Sequence, residues 1–152
     1  MNVPENIASL FRERIIISDV AANGDTAKRR MAAAIGQLTK ARGFLAKEEW
    51  EAAALFAESA LMVSFEAYLM GMKLKVATTG GSHKAMAAIT AYLARRASVA
   101  IEPYQLNEVI DARADILYHP WDVKAQQKMA TDAISTAELA IEVLRGFPPL
   151  SS

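Results

Sequence analysis

Arg113-Ala-Asp-Ile-Leu-Tyr-His119, followed by Pro120 and Trp121, gathers a guanidinium, a carboxylate, a phenol and an imidazole within seven residues of a chain otherwise rich in Ala, Leu and Met. His119 is one of only two histidines, the other being His83. An imidazole with a pKa near ~6.5 can take up or release a proton at neutral pH. A guanidinium can hold a phosphate through two parallel hydrogen bonds and stabilise charge that grows on it. Together the two suffice for RNA cleavage without a metal, in which a 2′-hydroxyl attacks its own phosphodiester. A structural reading uses the same residues. Arg113 falls where the helical pattern asks for an apolar side chain, and a cation taken out of water needs a partner. That partner would be a core acid such as Glu58 or Glu66, with His119 capping a helix C-terminus.

The elements that must position these groups read as helices almost throughout. Pro4 suits a first helical turn, and Ile7, Leu10, Phe11 and Ile15 share a face of a short helix, although Ile15-Ile16-Ile17 can also be extended. Asn23-Gly24-Asp25 is a break. Asp25 or Thr26 then caps a long helix to about Ala46, with Met31, Ala34, Ile35, Leu38, Ala41 and Leu45 as its apolar stripe. A second long helix from about Glu48 to Met72 is apolar nearly all round, as a helix buried on most sides should be. Gly80-Gly81 breaks the chain again, and Ser82 is placed to N-cap a helix over about 83–98. Pro103 opens the next, to about Tyr118, with Leu106, Val109, Ile110, Ile116 and Leu117 inward and Arg113 among them. Pro120 ends it. The last helix covers about 122–145, stopped by Gly146 and Pro148-Pro149. No strand pattern competes. The expected fold is all-α: an antiparallel up-down bundle of five to six helices forming one domain over 1–152, with its core at about 26–146 and a helical N-terminal extension at 4–20.

Composition agrees with a packed domain. The chain has 152 residues, 53% of them hydrophobic, enough to bury roughly 70% of the surface of the unfolded form. The absence of cysteine removes disulfides, thiolate metal sites and thiol nucleophiles. No carboxylate-bridged metal pair is expected from Glu51, Glu58 and Glu66, which form no Glu-x-x-His motif. Gly80-Gly81 lacks the context of a phosphate loop, so neither metal nor cofactor is expected. No apolar run of about 18 residues is free of charges, so no membrane partner is expected. The first charged side chain is Glu5, which does not fit a secretion leader; a cytoplasmic protein is expected.

Net charge is zero, which argues against a broad nucleic-acid-binding surface. Residues 26–47, however, carry six bases and no acid, while residues 101–152 carry eight acids against four bases. On the first long helix Arg29, Lys40 and Lys47 fall on the side opposite the apolar stripe, with Lys28 flanking them. These four form a solvated ridge or a face for a polyanion. Arg42 falls on the apolar side.

These features together resemble the HEPN superfamily of helical domains, whose hallmark is an Arg followed four to six residues later by His near the end of a late helix. The resemblance covers residues 27–145. It includes the pair of long helices before the motif, the Ala/Ser-rich stretch Leu55-Phe-Ala-Glu-Ser-Ala-Leu-Met-Val-Ser-Phe-Glu-Ala67, and Gly81-Ser-His83 leading into the next helix. It implies Arg113 and His119 as a catalytic pair with Asp115 and Tyr118 as supports, and a metal-independent endoribonuclease. It further implies a homodimer with two motifs lining one cleft and, in toxin members, a nucleotidyltransferase antitoxin as partner. RNA contacts would then come from Lys28, Arg29, Lys40 and Lys47. Active members usually carry a polar residue directly after the Arg, where this chain has Ala114. Many members have Arg and Tyr at the places of Arg113 and Tyr118 without the His, which matches a non-catalytic dimerisation or interaction module. A third reading is a bundle that binds a small molecule in an apolar pocket away from Arg113.

Overall fold

The computed structural model describes residues 3–77, 79–148 and 150; Pro149 of the expected C-terminal stop lies outside them. The described residues form α1 (Glu5–Arg12), β1 (Ile16–Ser18), α2 (Gly24–Ala46), α3 (Trp50–Gly71), β2 (Leu74–Val76), α4 (Ser82–Arg96), α5 (Pro103–Leu117) and α6 (Val123–Arg145). The fold is an all-α bundle of six helices, with one small antiparallel ribbon that pairs Ile16 with Val76 and Ser18 with Leu74.

Alanine spacing explains how the helices approach. Ala27, Met31, Ala34, Leu38 and Ala41 of α2 are buried at alternating steps of four and three, the spacing of a coiled-coil seam. Ala53, Ala57, Ala60, Ser64 and Ala67 of α3 repeat that spacing. A second row, Ala54, Leu61 and Phe65, is fully buried on the same helix. With two seams, α3 packs against α2, α5 and α6 at once. By length and composition α3 is also apolar enough to cross a bilayer, and half of that window is buried among the other helices. The buried hydroxyl of Ser64 donates to the Leu61 carbonyl at 2.7 Å, which satisfies it within the helix. Thr90 of α4 is also fully buried, yet its Oγ1 has no hydrogen-bond partner among the described residues.

Several boundaries correct the sequence reading. The cap of α2 is Asn23, whose side chain accepts from the Thr26 N–H at 2.9 Å; neither Asp25 nor Thr26 caps it. Ser82 is the first residue of α4 and not its cap. The N-terminal extension is helical only to Arg12, because Ile16–Ser18 find a partner strand. That partner, Leu74–Val76, has no alternation long enough to be seen in sequence. Phe11 and Leu117, expected inward, are 44% and 52% exposed. Helices α1 to α4 all end on a non-glycine residue at positive φ: Arg14, Glu48, Lys73 and Ser98. At three of these ends the next amide returns to the helix, from Ile15 to Leu10, Glu49 to Phe44 and Val99 to Ala94, which is the Schellman closure usually marked by glycine.

Gly81 has a specific duty. A Cβ built there would meet Ile15 Cγ2 at 2.5 Å, so only glycine lets the start of α4 seat against the segment leading into β1.

Candidate functional site

Pro103 at the first turn and a reciprocal Glu102–Gln105 capping box start α5, and its last turn carries the motif. Arg113 lies on the side of α5 facing α3. Its Nε meets Glu51 Oε1 at 3.3 Å, with both side chains about half exposed. The guanidinium is therefore half-exposed and paired at the surface, among apolar neighbours of α5. Its partner is Glu51, while Glu66 pairs with Arg30 at 3.3 Å. Arg113 lines an open groove of ≈ 500 Å³ whose walls include Trp50, Glu51, Leu55, Leu117, Pro120 and Gln126.

Glu58, two turns on from Glu51, lies in the fields of both His83 and Arg113. Its carboxyl is held above the usual range, first by burial and with help from Asp111, while His83 and Arg113 pull the other way. Sequence reasoning had named Glu58 only as a partner for Arg113. Its neighbourhood with His83 depends on how α4 docks and left no signal in the chain.

Beyond Leu117 the chain turns sharply. His119 Nδ1 lies 2.8 Å from the Asp115 carbonyl oxygen. A carbonyl only accepts, so Nδ1 carries a proton, and in the neutral ring the lone pair is then on Nε2. Gln126 of α6 reaches back and donates to the His119 carbonyl at 2.8 Å, which also accepts from the Asp122 N–H at 3.1 Å. Asp122 caps α6 by accepting from the Ala125 N–H at 3.0 Å. These bonds fix the 118–122 turn, and the Trp121 ring stands 6.2 Å from that of His119.

The expected quartet does not converge. Arg113 lines the α3-side groove, whereas Asp115 lines a separate hollow between α5 and α6 with Glu108 and Asp132. Two residues along a helix mean about 200° of rotation, which explains the separation. Tyr118 is 75% exposed and Trp121 78%; His119 is half-buried. Leu55, Leu117 and Val123 are also exposed, so the motif end of the bundle carries five large apolar or aromatic side chains in water.

The six bases of 26–47 divide cleanly. Arg30 pairs with Glu66, and Arg42, unexplained by pattern, pairs with Glu138 of α6 at 2.8 Å. Lys28, Arg29, Lys40 and Lys47 are exposed and form no ion pair among the described residues. A second hollow of ≈ 350 Å³, floored by Met62, Phe65, Leu69 and Val76, opens beside the ribbon away from Arg113.

In comparisons with protein-family models, with curated proteins and with solved structures, the chain matches none.

Proposed function

We propose that the protein is a HEPN-like homodimer that acts on RNA at the Arg113–His119 end of the bundle. One observation carries this reading: a protonatable imidazole and a phosphate-binding guanidinium share a bundle end that is ringed by exposed Leu55, Leu117, Tyr118, Trp121 and Val123. An Arg beside Trp and Tyr is also the composition of protein–protein hot spots. A second copy seated on this ring would cover the apolar side chains and bring a second motif to one cleft.

Within that cleft His119 Nε2 takes the proton of a ribose 2′-hydroxyl. The oxygen attacks the adjacent phosphorus, the 5′-oxygen leaves with the proton given up by the resulting imidazolium, and a 2′,3′-cyclic phosphate remains. Arg113 stabilises the charge that develops on the phosphoryl oxygens. The hydrogen bond from Nδ1 to Asp115 holds the tautomer this step needs. Asp115 thus contributes through its main chain, and its carboxylate and the Tyr118 phenol have no part in the step. The exposed bases Lys28, Arg29, Lys40 and Lys47 contact the RNA backbone. A cytoplasmic location and, for a toxin, a nucleotidyltransferase antitoxin go with this reading.

The test is incubation of purified wild type with RNA in EDTA, with product ends identified and the protein mass measured in solution. The reading expects a dimer and cyclic-phosphate ends; Arg113→Ala or His119→Ala should abolish cleavage and leave the dimer intact. A second reading is a HEPN-like interaction module without catalysis. It is favoured by the Arg113–Glu51 ion pair and by Glu49 on the same groove, acids that repel phosphate. It expects a dimer, intact RNA, and no effect of His119→Ala on partner binding.

A further inference from the structure

Lys40 and Lys47 are not simply solvated. Lys40 Nζ stands 5.7 Å from the centre of the Phe56 ring and Lys47 Nζ 6.0 Å from that of Phe44. The two rings are themselves stacked, with centroids 5.2 Å apart and planes 16° from parallel. Both are half-buried, so the pair remains in reach of solvent at the α2–α3 hairpin. Arg29, Lys40 and Lys47 lie within about 20° of one another around α2, which makes them a single row. Lys40 and Lys47 are separated by about 10 Å along the axis, about three times the ~3.4 Å axial rise per charge along one stacked strand.

We propose that the Phe44–Phe56 pair is a stacking platform for an unpaired base, and that Lys40 and Lys47 hold phosphates about three nucleotides apart on the strand that carries it. The row supplies charge without sequence preference, and the rings supply a π-face that any base can use. A duplex hides its base faces and could meet only the charges, so the platform selects single-stranded RNA. The lysine ammoniums, now over the rings, move outward to the phosphates when a base arrives. Glu48 and Glu49 reverse the sign directly after Lys47, which ends the row there and lays the strand along α2. This inference rests on the RNA-acting reading above and assigns its substrate class.

Fluorescence anisotropy of a labelled twelve-nucleotide oligo(U) over a series of KCl concentrations tests it, with unlabelled duplex RNA as competitor. Lys40→Gln and Lys47→Gln should each weaken binding and each reduce the slope of log K against log salt by about 0.7. Phe44→Leu and Phe56→Leu, which keep an apolar side chain, should weaken binding by about 10-fold with the salt slope unchanged; circular dichroism confirms that each variant folds. The proposal is overturned if both leucine variants bind like wild type, if duplex competes as well as single strand, or if poly-glutamate binding rivals that of oligo(U). Weakening by Arg113→Ala alone would also overturn it, placing the strand in the groove and leaving the RNA reading intact. Loss of binding in the platform variants of a protein that cleaves nothing would uphold it and remove only the catalytic reading.

Discussion

Arg113 of α5 and Glu51 of α3 meet at 3.3 Å across the mouth of the groove, each about half exposed. The group best suited to grip a phosphate is thus partnered by a carboxylate in the isolated chain. An ion pair this exposed is worth ~0–1 kcal/mol, so it is a weak latch and not a structural necessity. Glu51→Gln should change unfolding free energy by less than about 1 kcal/mol while raising RNA affinity at low salt several-fold. Denaturant titration and anisotropy read the two effects separately. A large loss of stability would mean that the pair holds α5 to α3.

Gly81→Ala should destabilise the protein by about 1–3 kcal/mol, because the new methyl overlaps Ile15 Cγ2 in a packed region. Ile15→Ala should absorb much of that cost, so the double variant should be markedly more stable than the sum of the single changes implies. Thermal melts of the four proteins give the coupling, and strict additivity would exclude the contact.

Thr90→Val should stabilise the fold by about 1 kcal/mol, or roughly 2–4 °C in Tm, since the buried hydroxyl has no partner among the described residues and its replacement removes a desolvation cost. A lower Tm would show that the hydroxyl is satisfied.

Glu58 should titrate above the ordinary glutamate range, because burial disfavours its charge. Its folded pKa exceeds its unfolded one, so the folded state binds the proton more tightly. The stability this lends is full below the unfolded value and is lost as pH rises through the folded value. Melting temperature should therefore fall with rising pH across that acid window. Glu58→Gln should remove this part of the slope; an identical pH profile in wild type and variant contradicts the assignment.

Helix order and most of the core could be read from the chain, since buried positions such as Met31, Leu38, Met86 and Ile141 keep helical spacing. Ends were harder. The positive-φ stops at Arg14, Glu48, Lys73 and Ser98 carry no glycine, and β2 has three residues whose only reason to extend is a distant partner. At the site, the pattern marked Arg113 on the inward side of α5 but not how far it is covered, because spacing reports an azimuth and not what a neighbouring helix leaves uncovered. The ties that fix the motif, Gln126 to the His119 carbonyl and Arg113 to Glu51, join residues from different helices. Likewise Phe44, Phe56, Lys40 and Lys47 become one cluster only when α2 folds against α3.

The most direct test of the account is cleavage of single-stranded RNA in EDTA by wild type and by His119→Ala, with the 3′ ends of the products analysed. The account predicts 2′,3′-cyclic phosphate ends from the wild type and at least a hundredfold slower cleavage from the variant, the lower bound of roughly 10²–10⁴ expected for loss of a general acid–base group. RNA left intact by the wild type, or cut equally fast by the variant, would contradict it.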